Sequence, residues 1–233
     1  MHWLERTKLI YGEENINKLK KTRVAVFGIG GVGGYTVEAL ARSGIEILDL
    51  FDGDRFCVTN MNRQIHATHK SIGQYKVDAA KERILEINPD ASINAQVFFF
   101  LPENSYEINF KQFDYIVDAI DTVAGKIELV LKAREAGVKI ISAMGTGNKI
   151  NPAALEVADI YETEICPLAR VMRRALRERG IEKLKVVYSK EPAITPREII
   201  SSHGRRQIPG STAFVPAAAG LILAGEVVRD IIN

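Results

Sequence analysis

Between residues 24 and 33 the chain reads VAVFGIGGVG, an apolar run that passes directly into closely spaced glycines. This pattern predicts a buried strand, a tight turn and the start of a helix. The first backbone N–H groups of such a helix lie at its positive end, where phosphate oxygens can bind. The glycines of the turn are therefore predicted to bind a nucleotide: Gly28, Gly30, Gly31 and Gly33.

Beyond this turn, apolar and β-branched segments alternate with segments of helical spacing. The predicted strands are Arg23–Phe27, Glu46–Phe51, Ile93–Phe99, Tyr115–Ala119 and Lys139–Ala143. The predicted helices are Val32–Ser43, Gly73–Ile87 and Ala124–Ala136. The alternation predicts an α/β fold with a Rossmann-like, doubly wound and mostly parallel sheet. Ligands of such folds bind beyond the carboxyl ends of the strands, where Gly28, Asp52 and Asp121 fall.

After about Asn148 the pattern changes to shorter strands, a basic helix and a polar loop that contains prolines. The shorter strands are predicted around Leu155–Tyr161 and Leu184–Ser189. We therefore predict a nucleotide-binding domain over residues 1–150 and a C-terminal, substrate-facing extension over residues 151–233, packed on the same domain.

The chain has 233 residues, a formal net charge of +2 and two cysteines, Cys57 and Cys166. Two isolated cysteines exclude a disulfide framework and a Cys-x-x-Cys zinc clamp, and they suit a reducing cytoplasm. The uncharged stretch 207–225 contains prolines and glycines, so a packed helix starting near Pro216 is favoured over membrane association. Its predicted contact residues are Ala217, Leu221, Ala224 and Val228.

Four polar residues bear on which nucleotide the glycine turn binds. Asp52 follows the second strand, where a carboxylate can hold a ribose hydroxyl. Arg63 and Lys76 supply the cationic donors that a triphosphate requires and that the pyrophosphate of a nicotinamide cofactor does not. Asp121 is predicted to hold Mg²⁺ against the phosphates. The glycines alone also fit an NAD-binding oxidoreductase or a nucleotide-sensing scaffold, whereas the polar residues favour ATP.

The order of these motifs resembles the adenylation domain of the ubiquitin-activating-enzyme-like superfamily, which includes ThiF and MoeB. The motifs cover about residues 1–150 and are Gly28-x-Gly30-Gly31-x-Gly33, Asp52-x-Asp54, Asn60-x-Asn62-Arg63-Gln64, Gly73-Gln74-Tyr75-Lys76-Val77 and Asp118-Ala119-Ile120-Asp121-Thr122. The resemblance implies an ATP and Mg²⁺ site that includes Gly30, Asp52, Asp54, Asn60, Arg63, Gln64, Lys76 and Asp121. It also implies a symmetric homodimer in which Arg6 reaches the phosphates bound by the partner subunit. Arg6, Arg63, Lys76 and Asp121 are then the catalytic residues.

A second group of motifs resembles the tRNA threonylcarbamoyladenosine dehydratase branch of this superfamily over essentially the full length. These motifs are Met144-Gly145-x-Gly147-Asn148-Lys149, Ala158-Asp159-Ile160-Tyr161, Cys166-Pro167-Leu168-Ala169-Arg170-Val171-Met172-Arg173-Arg174, Val186-Val187-Tyr188-Ser189 and Pro209-Gly210-Ser211. The resemblance implies that ATP adenylates the threonine carboxylate of N6-threonylcarbamoyladenosine in tRNA. An internal nucleophile of the modified base then displaces AMP, which closes a ring with overall loss of water.

An alternative is adenylation of the C-terminus of a ubiquitin-like or sulfur-carrier protein. The chain lacks the paired Cys-x-x-Cys motif of the ThiF and MoeB pattern, which makes this alternative weaker. The resemblance also leaves open a sulfur-relay partner of a cysteine desulfurase system. A monovalent cation, K⁺ or Na⁺, could bind near Ser189 or the Gly210-Ser211 loop.

The region from Cys166 to Gly210 is strongly basic, with eleven Lys or Arg against four Asp or Glu. Arginines recur within it at i, i+3, i+4 and i+7, which places four guanidinium groups on one helix face. These residues are Arg170, Arg173, Arg174 and Arg177. The core-facing stripe is predicted to be Leu168, Val171, Met172 and Ala175. We interpret the arginine face, with Arg205 and Arg206, as a surface for the tRNA backbone, the alternative being an ordinary solvated face.

Cys166 has two interpretations. A cysteine near a helix start and beside Arg170 can have a lowered pKa and accept an activated acyl group. A free cysteine is more often a buried packing residue, and ring closure needs no thioester, so the packing interpretation is favoured. His66 and His69, which follow the Asn60–Gln64 motif, are interpreted as structural or substrate-positioning residues and not as bases.

Overall fold

A computed structural model of the chain describes residues 2–198 and 208–233. Its strands are β1 Arg23–Phe27, β2 Ile47–Phe51, β3 Ser92–Gln96, β4 Tyr115–Asp118, β5 Lys139–Ala143, β6 Leu155–Asp159 and β7 Lys185–Ser189. They form one sheet in the order β3-β2-β1-β4-β5-β7-β6. Every neighbouring pair is parallel except β6 and β7. The predicted mostly parallel α/β fold is therefore confirmed.

The helices are α1 Glu5–Lys21, α2 Gly33–Arg42, α3 Lys76–Ile87, α4 Val123–Ala136, α5 Pro167–Arg177 and α6 Phe214–Ile232. Short 3₁₀ turns occur at Val58–Asn60, Pro102–Glu107, Phe110–Gln112, Pro152–Ala154 and Ile160–Glu162. Helix α1 bends at Gly12, whose φ of 79° lies in the left-handed region. A glycine adopts this conformation without the steric penalty of a Cβ atom.

Helices cover both faces of the sheet, because alternate residues of each central strand point to opposite sides. On one face, Val24 and Val26 of β1 lie in a core that includes buried residues of α1, α2, α3 and α6. On the other face, Ala25 and Phe27 lie in a core with residues of α4. The Phe27 ring stacks on Phe51 of β2, with 4.4 Å between ring centroids. The sheet is therefore doubly wound, as predicted.

The boundaries of several elements differ from the predictions. Strand β3 ends at Gln96 and not at Phe99, because the chain turns there and residues 98–100 pass over the carboxyl end of the sheet. Helix α3 begins at Lys76 and not at Gly73, because Gly73 is left-handed and Tyr75 pairs as an isolated bridge with Arg55. Because the residues just before the helix are not helical, Lys76 lies in the first turn of α3.

The C-terminal part of the chain completes the same sheet. Strand β7 pairs with β5, and β6 pairs with β7. Helix α6 packs mainly against α2 and also against α1. The predicted boundary of an extension at residue 151 stays a prediction.

Helix α6 differs in detail from the prediction. It begins at Phe214, and Ala224 and Val228 are buried as expected, but Leu221 is 53% exposed and was wrongly assigned to the contact face. The reason is a close approach at Gly220, where an added Cβ would lie 2.3 Å from the carbonyl oxygen of Val32. The contact line runs through Gly220, which turns Leu221 outward. Within the described ranges, no helix is both long and apolar enough to cross a membrane.

Candidate functional site

A cavity of about 520 Å³ opens beyond the carboxyl ends of β1, β2, β4 and β5. We call it the carboxyl-end cavity. It brings together residues that are far apart in the sequence: Gly28, Gly30, Gly31, Asp52, Asp54, Asn60, Arg63, Gln64, Lys76 and Asp121. Of the residues predicted to bind the nucleotide or its phosphates, Gly33 and Arg6 are not among those that line it.

The glycine turn is shaped by two close backbone approaches. A Cβ on Gly28 would lie 2.6 Å from the carbonyl oxygen of Ala119, and the φ of Gly28 is 89°. A Cβ on Gly33 would lie 1.7 Å from the carbonyl oxygen of Gly28. Gly33 therefore allows the turn to close behind the cavity and does not line it. Gly30 is different, because the nearest atom to an added Cβ is Gln64 Nε2 at 3.9 Å.

Asp52 holds the glycine turn from the end of β2. Its Oδ2 accepts a hydrogen bond from the Ile29 N–H at 2.7 Å, and its Oδ1 accepts one from the Asp54 N–H at 2.8 Å. Burial raises the pKa of Asp52, and the charge of Lys76 opposes this rise. Each carboxylate oxygen has a second lone pair, so these contacts are compatible with a bond to a ribose hydroxyl.

Lys76 is the main cation inside the cavity. It is buried, and its Nζ lies 2.6 Å from Asp54 Oδ2 and 3.7 Å from Asp52 Oδ1. The ammonium group therefore faces two carboxylates from the β2 end. A triphosphate entering the cavity would compete with Asp54 for this ammonium, because both are anions that seek the same donor.

Arg63 lies over the glycine turn. The Asn60 carbonyl accepts from the N–H groups of Arg63 and Gln64, which folds the Asn60–Gln64 segment into a compact turn. The Arg63 guanidinium donates to the Thr59 carbonyl at 2.9 Å, and its Cγ lies 3.4 Å from the position of an added Cβ on Gly31. Gln64 Oε1 is buried and makes no hydrogen bond to the described residues. The segment thus presents a forked cation and an available acceptor.

His66 packs this segment against α2, where its ring lies close to Gly34. Its buried Nε2 lies 3.9 Å from Glu38 Oε2, and Glu38 also binds Arg42 and Arg83. Burial alone would raise the pKa of Glu38, but the nearby His66 ring and the hydrogen bonds from Arg83 and Arg42 outweigh this effect and hold the pKa at about 2. The contact agrees with a structural role for His66, which is one of the two roles predicted from the sequence.

Asp121 follows β4 on a segment that hydrogen bonds between buried residues hold in place. The buried Lys126 donates to Asp118 Oδ1 at 2.9 Å and to the Ile120 carbonyl at 3.0 Å. Ser142 of β5 donates to the other Asp118 oxygen at 2.5 Å. This network fixes the turn on which Asp121 lines the cavity.

The remaining walls differ at the two ends of the cavity. One end is apolar and consists of Phe51, Phe98, Phe99, Phe100 and Ile120. Flat aromatic side chains of this kind suit a nucleobase. Sequence reasoning missed this wall, although three consecutive phenylalanines after a strand were the available signal.

The other end is formed by residues 143–147, Leu168 and the Pro209–Ser211 segment. Asn148 and Gly210 exchange two hydrogen bonds, from Asn148 N–H at 2.7 Å and from Gly210 N–H at 2.6 Å. Asn62 Nδ2 donates to the Ser211 carbonyl at 3.0 Å. The Pro209–Ser211 segment therefore links the Asn60–Gln64 turn to the loop after β5. Ser189 is fully buried and is not among the lining residues.

The arginine face of α5 exists but is narrower than predicted. Arg170, Arg174 and Arg177 are exposed, and Arg174 pairs with Glu178 at 3.1 Å. Arg173 is half-buried and donates to the Thr163 carbonyl at 2.6 Å, so it holds the preceding loop. Arg205 and Arg206 lie outside the described residues.

The core-facing stripe of α5 was predicted wrongly in part. Its buried residues are Ala169, Met172 and Leu176, whereas Val171 is 50% exposed. The helix is rotated this way because Cys166, directly before its first residue, packs in the core with Met144 and Ile160. The burial of Cys166 agrees with a packing role.

Arg6 lies on the exposed start of α1, where Leu9 is 87% and Ile10 is 81% exposed. Its predicted role concerns a partner subunit and stays a prediction.

These features define a class. A glycine turn before α2, an acidic residue after β2 and two cations in one cavity define a nucleotide-binding protein of Rossmann-like fold, whose cationic donors suit a polyphosphate. The chain belongs to the ThiF family, whose model matches residues 4–232.

Individual relatives agree with this family. The chain is 40% identical to the tRNA threonylcarbamoyladenosine dehydratase of Bacillus subtilis, and the alignment covers 100% of this chain and 96% of the relative. It is similar in structure to E. coli tRNA N6-threonylcarbamoyladenosine dehydratase, TcdA, in complex with AMP, with a TM-score of 0.88, 31% identity, and coverage of 97% of this chain and 92% of that chain. The same E. coli protein in complex with ATP gives a TM-score of 0.86 at 30% identity, with the same coverage.

Proposed function

We propose that this chain is an ATP-dependent tRNA-modifying enzyme that adenylates the threonine carboxylate of N6-threonylcarbamoyladenosine and promotes its cyclisation. The observation that carries the proposal is the meeting of the glycine turn, Arg63, Lys76 and Asp121 in one cavity. Relatives that match the full chain and bear the dehydratase name support the choice of substrate.

The cavity suggests how ATP is oriented. The adenine would lie against the apolar wall at Phe98–Phe100, the ribose near Asp52, and the phosphates at Gly30 and Gly31. Arg63 and Lys76 would neutralise the phosphates. The threonine carboxylate would then approach from the opposite end, past residues 143–147 and Pro209–Ser211.

Asp121 would hold Mg²⁺ together with phosphate oxygens. The donor set fits this ion, because Mg²⁺ is usually bound in proteins by one or two carboxylates plus substrate phosphates, and Asp121, Asp52 and Asp54 line the same cavity. When bound, the ion neutralises charge on the departing pyrophosphate.

Two displacements complete the reaction. The threonine carboxylate oxygen attacks the α-phosphorus of ATP, and pyrophosphate leaves toward Arg63 and Lys76. An internal nucleophile of the modified base then attacks the acyl carbon and expels AMP, which carries away the carboxylate oxygen. The ring closes with the loss of one water from the nucleoside, and the enzyme needs no nucleophile of its own.

The exposed face of α5 would bind the tRNA backbone through Arg170, Arg174 and Arg177. Cationic side chains that contact phosphates release counterions, so the affinity would fall steeply with salt. A protein with this substrate would work in the cytoplasm.

Symmetric dimerisation is part of the proposal. Leu9 and Ile10 present apolar surface on the helix that carries Arg6, and such surface favours burial against another chain. Arg6 would then reach the phosphates bound by the partner subunit. A K⁺ or Na⁺ ion near Gly210-Ser211 and a sulfur-relay partner also stay predictions.

Incubation with labelled ATP and Mg²⁺ tests the function. We expect AMP and pyrophosphate to appear with tRNA that carries N6-threonylcarbamoyladenosine, and not with tRNA that lacks it. AMP formation only with a sulfur-carrier protein would favour the alternative substrate. Stabilisation of the protein by NAD but not by Mg-ATP would reject both.

A further inference from the structure

A second cavity of about 640 Å³ lies at the opposite edge of the sheet. Residues at the starts of three parallel strands line it, namely Tyr115 of β4, Lys139 of β5 and Lys185 of β7. We call it the amino-end cavity. The ATP site proposed above lies beyond the other ends of these strands, so the amino-end cavity is separate from it.

The cavity arises from the register of β5 and β7. The first paired residues are Ile141 and Lys185, so Lys139 and Ile140 extend past the start of β7. The space beside these two unpaired residues is the cavity, and it is bordered by α4, by the end of β6 and by the segment that precedes β7.

Hydrogen bonds hold this segment in place and keep the cavity open. The Arg134 guanidinium donates to the Gly180 carbonyl at 2.7 Å, and the Tyr161 hydroxyl donates to the Ile181 carbonyl. The Leu184 N–H donates to Asp159 Oδ2 at 3.1 Å. The cavity is therefore preformed, as ligand sites usually are.

The interior of the cavity is mainly apolar. Side chains from four parts of the chain contribute, namely Val130, Val138, Ile140, Val157, Ile181 and Leu184. An apolar interior of this size lies within the range of about 300–1,000 Å³ that is typical of small-molecule sites.

Four cationic side chains and three carboxylates line the cavity, a formal excess of one positive charge: Arg134, Lys139, Lys183 and Lys185 against Asp159, Glu182 and Asp230. Arg134 donates to the Gly180 carbonyl and Lys139 to the Asp230 carbonyl at 3.1 Å, and main-chain carbonyls carry no net charge. The Asp230 carboxylate is already bonded to Lys185 and to the Tyr115 hydroxyl. Lys183 adds an exposed cation to the rim, and Glu182 adds an exposed carboxylate.

We propose that the amino-end cavity binds a small amphipathic organic anion. Its apolar body would lie against Ile140, Val157 and Ile181, and its carboxylate, sulfonate or phosphate group would meet Arg134, Lys139 and Lys183. An apolar interior with a cationic rim matches both halves of such a molecule. The proposal stands independently of the ATP-dependent reaction.

The dye 8-anilinonaphthalene-1-sulfonate, an apolar ring system with one anionic group, is the probe. The full chain is titrated with the dye in the presence of saturating Mg-ATP, which fills the carboxyl-end cavity. We expect saturable fluorescence from one site per chain. Filling the cavity with Ala158→Phe weakens dye binding about tenfold or more, because the added ring occupies the space of the dye. The matched control Ala153→Phe, at an exposed position outside the cavity, leaves it unchanged.

A charge variant keeps the test decisive where Ala158→Phe fails to fold. The rim substitutions Lys139→Glu and Lys183→Glu together weaken dye binding several-fold, whereas Lys70→Glu, at an exposed site elsewhere, does not. Unchanged affinity in the rim variant or in folded Ala158→Phe, complete displacement of the dye by Mg-ATP, or absence of saturable binding would overturn the proposal.

Discussion

The ammonium group of Lys126 lies 2.9 Å from Asp118 Oδ1, and both side chains are fully buried. Lys126 extends from the first turn of α4 beneath the turn that carries Asp121, and it also donates to the Ile120 carbonyl. A buried carboxylate is tolerated only when its charge and lone pairs are matched. The pair therefore connects the stability of the core to the geometry of the carboxyl-end cavity.

Lys126→Met is expected to destabilise the protein by about 3–5 kcal/mol, because it leaves Asp118 charged and unpaired in the core. Urea unfolding measures the loss. The control Lys132→Met removes a surface cation of the same helix that pairs with Glu135, and it should cost less than about 1 kcal/mol. Equal effects of the two substitutions would contradict the importance of the buried pair.

Arg63→Ala is expected to lower AMP formation by about 100-fold or more, because in the proposed reaction Arg63 donates to the developing phosphate charge. The fold should be intact, since the contacts of the guanidinium within residues 2–198 and 208–233 are with nearby loop atoms. Arg229→Ala, at an exposed position of α6, serves as the control. Near-normal turnover of Arg63→Ala would reject its assigned role.

Asp121→Asn is expected to abolish Mg²⁺-dependent turnover, because the amide carries no charge and binds the ion weakly. Turnover is measured over a range of Mg²⁺ concentrations. Asp90→Asn, an exposed carboxylate outside the cavity, should behave as the wild type. The same Mg²⁺ dependence in Asp121→Asn and the wild type would show that the ion is held elsewhere.

Arg170→Glu combined with Arg174→Glu is expected to weaken tRNA binding and to spare ATP binding. Two lost phosphate contacts should also reduce the slope of log affinity against log salt by about 2. Arg173 is left in place because it holds the Thr163 carbonyl. Lys18→Glu with Lys21→Glu on α1 provides the same charge change away from α5. Equal loss of affinity in the two double variants would refute a specific tRNA face.

The acid stability of the protein should depend on Glu38. Its pKa in the folded protein is about 2, against 4.5 for the isolated side chain. A depressed carboxyl pKa contributes stability above the unfolded value, and this contribution is lost as the pH falls from about 4.5 toward 2. Stability curves of the wild type and Glu38→Gln should therefore converge in this range. A difference that is constant from pH 6 to pH 2 would contradict the prediction.

The glycine turn was predictable from the sequence because backbone sterics determine it locally. Gly28 and Gly33 have no room for a Cβ. The glycine spacing in the sequence indicates this steric requirement. Parallel topology then placed Asp52 and Asp121 at the same edge of the sheet. The pairing of Lys76 with Asp54 was not predictable, because it depends on how the chain between β2 and α3 folds back.

Burial on the helices was predicted less well, because each helix has more than one set of apolar residues at helical spacing, and the spacing alone does not choose between them. Val171 of α5 and Leu221 of α6 both face outward for this reason. Their orientation is set by neighbours distant in the sequence, namely the core around Cys166 and the backbone contact at Gly220. The amino-end cavity was likewise missed, because it results from the register between β5 and β7.

Mass spectrometry of the tRNA nucleosides tests the central claim most directly. tRNA that carries N6-threonylcarbamoyladenosine is incubated with the chain and Mg-ATP, then digested. We predict conversion of this nucleoside to a product lighter by one water, with equal release of AMP and no product from Arg63→Ala. An unchanged nucleoside in the presence of protein that binds Mg-ATP would contradict the account.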